Sequence, residues 1–133
     1  MAPSNDEPSV CYLTTIGRNS GGAHTIEIWF TAVGRTAYLI SGGGARSDWV
    51  KNLLRRPSAN VRLGDRSTPV VARLPLAPSP ERDRAVRRLH DKYGAQVSGS
   101  VDQWLESAYI VALDGDAEAA WLRTVERRDP RDA

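Results

Sequence analysis

Residues 41–52 read SGGGARSDWVKN, and this stretch decides the fold around it. Its three consecutive glycines follow an apolar run, residues 37–40, that has the composition of a strand. Ser47 has the residue type of a helix N-cap, so the stretch predicts a strand, a glycine loop and a helix in that order. The first N–H groups of a helix have no partners within it, and glycines let a ligand approach the backbone. The stretch therefore indicates an anion site with room for a flat ring, or else a plain strand-to-helix connection.

The composition is that of one globular domain. The chain has 133 residues, of which 41% are hydrophobic and 26% charged. The single cysteine, Cys11, excludes an internal disulfide framework and indicates a reducing compartment. The polar N-terminus is unlike a signal peptide and no apolar run is long enough to span a bilayer, so we expect a cytoplasmic protein with no integral membrane segment. We predict a flexible arm over residues 1–8, a single domain over 9–128 and a frayed tail over 129–133.

Basic residues concentrate around the glycine loop. The net charge is only +2, but between residues 46 and 66 six basic side chains stand against two acidic ones, Asp48 and Asp65. The six are Arg46, Lys51, Arg55, Arg56, Arg62 and Arg66. A basic surface beside an anion site suits a polyanionic small molecule. It also suits nucleic acid, but no aromatic residues alternate with these charges as a base-stacking surface requires, so we expect no nucleic-acid partner.

Apolar alternation and turn residues predict six strands. They cover residues 10–16, 24–30, 36–40, 60–63, 68–76 and 108–113. In the second strand, Ile26, Ile28 and Phe30 are expected to face the core, with Glu27 and Trp29 on the opposite face. Short loops join the first three strands, which predicts an antiparallel meander.

Two helices are predicted inside the domain, after Ser47 and after Ser79, and Gly94 is expected to end the second. Their buried stripes are Trp49, Val50, Leu53 and Leu54 in the first helix and Ala85, Val86, Leu89 and Tyr93 in the second. Residues 96–103 are expected to form a flexible loop, and residues 117–128 a short terminal helix. The pattern predicts a mainly β (α+β) fold, a six-stranded antiparallel barrel, closed or nearly closed, decorated by two or three helices.

No metal site or hydrolytic triad is indicated. His24 and His90 lack the spacing of metal ligands, and the sequence contains neither H-E-x-x-H nor C-x-x-C. The glycine-flanked serine of a nucleophile elbow is also missing. Cys11, at the head of a strand, is expected to be packed rather than reactive.

Three segments carry a resemblance to a known family. LTTIGRNSG at residues 13–21, IEIWF at 26–30 and SGGGARSDWVKNL at 41–53 occur in the order and spacing of the deazaflavin-dependent oxidoreductases. These proteins, often described as nitroreductases, form part of the flavin-binding split-barrel superfamily. The chain resembles them best over residues 12–63. The resemblance implies a split barrel and a deazaflavin cofactor, coenzyme F-420, with FMN as the alternative.

The resemblance also implies which residues bind the cofactor. In the family, the arginine of the T-T-x-G-R turn lies near the cofactor's phosphate and its polyglutamate tail, and the next residue is often basic, where this chain has Asn19. The glycine loop contacts the phosphate and ring, and two helix residues border them, although Trp49 also suits the core and Asn52, which flanks the apolar stripe, could simply cap or be solvated. The implied cofactor-binding residues are Arg18, Asn19, Ser41, Gly42, Gly43, Gly44, Ala45, Trp49 and Asn52. Tyr93 and Trp104 are the candidates to line the acceptor side, or to lie in the core.

Three functions follow as hypotheses. The first is a reductase that transfers a hydride from reduced F-420 to a quinone, enone or nitro-type acceptor, for which the cofactor carries the chemistry and no catalytic residue is identified. The second is the same barrel using FMN, and the basic residues around the glycine loop favour the first. The third is a cofactor-binding barrel without catalysis. A homodimer is also expected, because Trp29 would be left outside the barrel unless a helix of the same chain covers it.

Overall fold

Seven strands and three helices make up the part of the chain that the computed structural model describes, residues 7–116. The strands are β1 (Cys11–Ile16), β2 (Ala23–Ile28), β3 (Thr31–Val33), β4 (Thr36–Ser41), β5 (Ser58–Leu63), β6 (Arg66–Arg73) and β7 (Tyr109–Gly115). The helices are α1 (Asp48–Arg55), α2 (Pro80–Tyr93) and α3 (Val101–Ser107). All pairings in the sheet are antiparallel, which confirms the mainly β (α+β) fold, with seven strands in place of the six predicted.

The sheet curls into a half-barrel because its two edge strands follow one another in the chain. The strand order is β2-β1-β5-β6-β7-β4-β3. Only Trp29 and Phe30 separate β2 at one edge from β3 at the other, so the edges must approach each other. Among the described residues, no helix is long and apolar enough to cross a membrane.

The predicted meander of the first three strands is wrong. The run expected as one strand over 24–30 breaks at the Trp29–Phe30 corner, and residues 31–33 form β3. β3 pairs with β4 through a turn at Gly34, which has a φ of 62°, a conformation that favours glycine. β4 pairs on its other side with β7, and therefore never meets β2. Phe30 is fully buried as expected, whereas Ile26 and Ile28 are partly buried against the core.

The helix α2 covers one face of the sheet and creates a second core. Its predicted stripe of Ala85, Val86, Leu89 and Tyr93 is buried, and these residues pack with Tyr38, Ile110 and Ala112 of β4 and β7. The Ser79 hydroxyl accepts a hydrogen bond from the Arg82 N–H at 3.1 Å, and Gly94 is the C-cap, as predicted. Because the first core lies on the other face, β7 is buried on both faces rather than on alternate residues.

The helix α1 buries Val50 and Leu53 as predicted, but Leu54 is 53% exposed. Asn52 is buried instead, and its amide bonds Thr15 of β1 and Arg18 of the turn that follows. Ser47 is the N-cap by position only, since its hydroxyl bonds Ser41 rather than the helix.

The stretch predicted as a flexible loop over 96–103 runs at its end into a short helix, α3, which begins at Val101. The Ser100 hydroxyl accepts from the Gln103 N–H at 3.2 Å, and the Gln103 side chain accepts from the Ser100 N–H at 2.8 Å. This capping box is visible in the sequence as S-x-x-Q. The buried Arg82 guanidinium donates to the carbonyls of Leu105 and Ala108 at the end of α3, at 2.7 and 2.8 Å. The predicted helix over 117–128 and the predicted tail lie outside the described residues.

Glu7 corrects the prediction of a loose arm over residues 1–8, of which residues 1–6 lie outside the described part. Its carboxylate is buried and accepts from the Lys92 ammonium at 2.9 Å and from the Ala32 N–H at 2.8 Å. Arg88 and the Thr31 hydroxyl add contacts at 3.5 and 3.2 Å. Glu7 is therefore fixed by polar partners that lie far away in the sequence.

A second ionic cluster joins β4, β6 and β7 to the start of α2 at the surface. The Arg73 guanidinium donates to Glu81 and Asp114, and the Tyr38 hydroxyl donates to Glu81 at 2.7 Å. Hydrogen bonds from Arg73 and then from Tyr38 lower the pKa of Glu81 to about 2. Glu81 therefore remains ionised at neutral pH and continues to accept from Tyr38.

Candidate functional site

One groove runs between β2, the turn after β1 and the N-terminal half of α1. It consists of a polar cavity of about 410 Å³ and an apolar cavity of about 490 Å³, which share Ile26 and Trp49 as lining residues. The polar cavity is lined by Thr15, Gly17, Arg18, Asn19, Ser20, His24, Ile26, Asp48, Trp49 and Asn52. The apolar cavity is lined by Val10, Ile26, Glu27, Ile28, Trp29, Ile40, Gly42, Trp49, Val97 and Trp104. The two cavities therefore form a polar and an apolar end of one groove.

The polar end is built on the closed turn between β1 and β2. The Gly17 N–H donates to the Gly22 carbonyl at 2.7 Å, and the Gly21 N–H donates to the Gly17 carbonyl at 2.9 Å. Gly21 has a φ of 75°, which favours glycine at this point of the turn. The turn holds Arg18, Asn19 and Ser20 against the first turns of α1.

Arg18 and Asn52, both implied by the family resemblance, meet at this end. The Asn52 side-chain oxygen accepts from the Arg18 guanidinium at 2.8 Å and from the Arg18 backbone N–H at 3.2 Å. Its amide nitrogen donates to the Thr15 hydroxyl at 3.1 Å. The exposed Asp48 carboxylate contacts the other side of the guanidinium at 3.2 Å. Asn52 thus fixes the direction of Arg18, whose side chain remains 29% exposed.

The glycine loop is held together mainly by its own contacts. The Ser41 hydroxyl donates to the Gly44 carbonyl at 2.8 Å and lies 2.8 Å from the Ser47 hydroxyl. A hydroxyl has one proton, so Ser47 donates to Ser41. Ser41 is buried, and residues 44–46 form a 3₁₀ turn. Of the five loop residues predicted to bind a cofactor, only Gly42 lines the groove, while Ser41, Gly43, Gly44 and Ala45 shape the loop.

The three glycines differ in what a side chain would meet. A Cβ at Gly42 would have no atom within 4 Å and no unusual φ. At Gly43 it would lie 2.7 Å from the Ser47 hydroxyl, and Gly44 has a φ of 60°, which strains other residues. Gly42 therefore leaves open space in the apolar end, whereas Gly43 and Gly44 are required by the loop itself.

Three indoles line the apolar end, from Trp29, Trp49 and Trp104. Among its described lining residues only Glu27 carries a charge, and the Glu27 carboxylate accepts from the Tyr12 hydroxyl at 3.1 Å. Trp104 is held by its indole N–H, which donates to the Ser98 carbonyl at 3.2 Å. Aromatic walls of this kind suit flat apolar molecules.

Tyr93 lies behind this wall rather than in it. Its ring stacks on Trp29 with the centroids 4.3 Å apart and the planes within 2°. Its side chain is only 2% exposed, and burial raises the pKa of its hydroxyl to about 12. Tyr93 is therefore a core residue, not a lining one. The stack also covers Trp29 from within the chain, which removes the reason given for Trp29 as an external dimer anchor.

Several lining residues were not predicted. His24, Ser20, Thr15 and Asp48 complete the polar end, and His24 lies 3.4 Å from the Ser20 hydroxyl. His24 has the same strand parity as Ile26 and Ile28, which is the signal that would have placed it on the groove.

The described residues contain no group of three or more His, Cys, Asp or Glu that could hold a metal ion. Burial raises the pKa of Cys11 to about 12, so this thiol is packed and protonated.

A shallow third cavity continues the polar end along α1. It measures about 380 Å³ and is lined by Arg18, Asn19, Lys51, Leu54 and Arg55. Three of these five residues are cationic, so positive charge extends beyond Arg18 toward solvent. An anionic chain lying in this cavity would therefore be favoured.

Residues 4–104 match the family described as F420H(2)-dependent quinone reductase. The chain belongs to this family. Family membership supports a role as a reductase that depends on the deazaflavin coenzyme. No curated protein matches the chain.

Solved structures with a similar fold have different described roles. The F420-H2 dependent reductase FDR-A is 16% identical over 81% of this chain and 96% of its own, with a TM-score of 0.64. HutZ, the heme storage protein from Vibrio cholerae, is 12% identical over 85% of each chain, with a TM-score of 0.65. A domain-swapped dimer is 17% identical over 81% of each chain, with a TM-score of 0.65. At these identities the likeness shows the fold alone.

Proposed function

We propose that the protein is an oxidoreductase that transfers a hydride from the reduced deazaflavin coenzyme F-420 to a quinone, enone or nitro-type acceptor. The observation that carries this proposal is the division of one groove into a polar end at Arg18 and an apolar, indole-lined end, joined at Ile26 and Trp49. A coenzyme with an anionic arm and a flat ring system has the same division. Gly42 leaves the space that such a ring needs beside the backbone.

Different residues of the groove would bind different parts of the coenzyme. Arg18 and Asn19 would bind the anionic arm, and Asn52 would keep Arg18 in place through its hydrogen bond at 2.8 Å. His24 lies in the same cavity and can donate a ring N–H hydrogen bond to an anion. Gly42 and Trp49 would contact the ring. When bound, the reduced coenzyme supplies the hydride, and the protein supplies orientation and a site with little water.

The acceptor would lie at the apolar end, between the coenzyme and the indoles of Trp29 and Trp104. Desolvation by these side chains favours a flat, weakly polar acceptor over a charged one. Solvent at the open side of the groove can supply the proton that the reduced acceptor takes up.

FMN remains the alternative cofactor, and the cavity along α1 favours F-420. Lys51 and Arg55 extend the positive charge beyond Arg18, further than a single phosphate needs. The polyglutamate tail of F-420 would use this surface. We therefore expect the apoprotein to bind F-420 more tightly than FMN in parallel fluorescence titrations. Equal or tighter binding of FMN would favour the alternative, and binding of neither would exclude both cofactors.

Arg18→Ala is expected to weaken F-420 binding by about 1–3 kcal/mol, the usual range for losing a hydrogen bond to a charged group. The loss should shrink at high salt, because counterions screen exposed charge. Arg66→Ala is the matched control, since Arg66 is an exposed arginine of the β5–β6 hairpin outside the groove. Equal affinities for the wild type, Arg18→Ala and Arg66→Ala would remove Arg18 from the site.

We also propose that the protein is a homodimer. The domain-swapped dimer of similar fold supports this, as do the exposed side chains of Leu54 and Val71. Light scattering at low micromolar concentration should give the mass of two chains. Trp29→Ala should leave that mass unchanged, because Tyr93 covers Trp29 within one chain. A monomeric wild type would refute the dimer. A dimeric wild type with a monomeric Trp29→Ala variant would show that Trp29 contributes to the interface.

A further inference from the structure

We propose that Tyr93 is a positioning residue for the acceptor: it holds two walls of the apolar cavity without touching the cavity itself. This inference rests on the proposed function for what the cavity binds. Tyr93 is the last residue of α2, and both its ring and its hydroxyl are engaged by cavity-lining segments. The two engagements are independent, because one is an aromatic stack and the other a set of hydrogen bonds.

The first wall is the Trp29–Phe30 corner between β2 and β3. The Tyr93 ring stacks on the Trp29 indole with the planes within 2° of parallel. The Tyr93 hydroxyl oxygen accepts from the Phe30 N–H at 3.1 Å. The side chain therefore holds the corner at both residues, and Trp29 presents its remaining surface to the cavity.

The second wall is the N-terminal strap, which we define as residues 7–10. The Tyr93 hydroxyl lies 2.6 Å from the Ser9 carbonyl and 3.1 Å from the Phe30 carbonyl. Because a hydroxyl has one proton, the shorter contact identifies Ser9 as the acceptor. The next residue, Val10, lines the apolar cavity.

Lys92, the neighbour of Tyr93, strengthens the same link. Its ammonium donates to Glu7 at 2.9 Å, to the Pro8 carbonyl at 2.8 Å and to the Phe30 carbonyl at 2.9 Å. The last turn of α2 thus joins the strap to the corner. Val10 and Trp29 lie directly beyond the Cys11–Ile28 pair at the end of the β1–β2 ladder, so this turn of α2 fixes the end of that ladder and the side of the acceptor slot that the two residues line.

The test compares Tyr93→Phe with Tyr38→Phe. Tyr93→Phe keeps the stack on Trp29 and removes the hydroxyl that links Ser9 to Phe30. Tyr38→Phe also removes one hydroxyl from a buried tyrosine of the same core cluster, but that hydroxyl donates to Glu81, away from the groove. Tyr93→Phe loses the bonds to Ser9 and Phe30, and Tyr38→Phe loses the bond to the Glu81 carboxylate, so a general loss of stability should appear in both variants.

The probe is menadione, a flat apolar quinone, and its binding is followed by tryptophan fluorescence quenching without coenzyme. We expect Tyr93→Phe to raise the dissociation constant of menadione about tenfold and Tyr38→Phe to leave it unchanged. With F-420 present, Tyr93→Phe should raise the KM for menadione and leave kcat and the F-420 dissociation constant near their wild-type values.

The inference fails if menadione binding is unchanged in Tyr93→Phe, or if the two variants weaken it equally. It also fails if Tyr93→Phe weakens F-420 binding as much as menadione binding, since the effect would then lie outside the acceptor end. Failure of the proposed function has a different signature. The wild type would bind menadione with the expected dependence on Tyr93 but would not bind F-420.

Discussion

Gly42→Val is expected to lower F-420 affinity about a hundredfold while leaving the unfolding midpoint near that of the wild type. The Gly42 backbone lines the apolar end of the groove, and a Cβ there would meet no atom within 4 Å. The added side chain would therefore project into free space without straining the loop. The valine side chain would occupy space that the bound coenzyme ring needs. Forcing extra methyl groups into a filled site costs about 1–3 kcal/mol.

The neighbouring glycines supply the contrast for that experiment. Gly44→Val should lower stability as well as affinity, because Gly44 has a φ of 60° that valine rarely adopts. Gly43→Val should do the same, since its Cβ would lie 2.7 Å from the Ser47 hydroxyl that ties the loop to Ser41. Thermal unfolding and fluorescence titration separate the two outcomes. Undiminished F-420 binding by a folded Gly42→Val variant would show that the ring lies elsewhere.

Glu7→Ala is expected to lower the free energy of unfolding by about 3–5 kcal/mol, the range for breaking a buried ion pair. Its carboxylate is 1% exposed and pairs with Lys92, which is 6% exposed. Burial lowers the pKa of Lys92, and the charge of Glu7 opposes that shift. Removing Glu7 therefore leaves the desolvated Lys92 ammonium without this counterion and bonded to the Pro8 and Phe30 carbonyls, in a domain whose total stability is about 5–15 kcal/mol.

Urea unfolding measures this effect, with Asp83→Ala as the control. The exposed Asp83 carboxylate lies 3.8 Å from the Arg82 guanidinium, which donates to two carbonyls besides, so the loss of Asp83 should cost no more than about 1 kcal/mol. The double variant Glu7→Leu/Lys92→Met should recover part of the lost unfolding free energy, because burying two apolar side chains does not require a charge to be desolvated. A cost for Glu7→Ala as small as that for Asp83→Ala would mean that the strap is not anchored by this pair.

Local signals predicted the elements of the fold better than their order. Ser79, Pro80 and Gly94 mark both ends of α2, and its buried stripe follows from the helical period, so all of these were correct. The pairing of β4 with β7 joins segments that are distant in the chain, and no local pattern records it. The break at Trp29–Phe30 was missed because both residues continue the alternation of a strand.

In the candidate site, too, single residues were predicted from the sequence, but the contacts between them were not. The family resemblance pointed to Arg18 and Asn52 separately, and the structure brings them within 2.8 Å, although nothing in the sequence pairs them. The family resemblance implied five cofactor contacts in the glycine loop, and the structure adds that the Ser41 hydroxyl holds the loop, as a short polar side chain often does in a turn. Glu7 was unpredictable from its neighbours because its partners, Lys92 and Ala32, come from other elements.

The most direct measurement is an anaerobic assay in which reduced F-420 and menadione are mixed with the wild type and with Gly42→Val. We expect the wild type to restore the visible absorbance of the oxidised coenzyme and to form an equivalent amount of quinol. The folded Gly42→Val variant should do neither above the rate without protein. Tight F-420 binding by the wild type with no protein-dependent oxidation would contradict the reductase account and leave a cofactor carrier. Equal turnover by the two proteins would contradict the placement of the coenzyme in this groove.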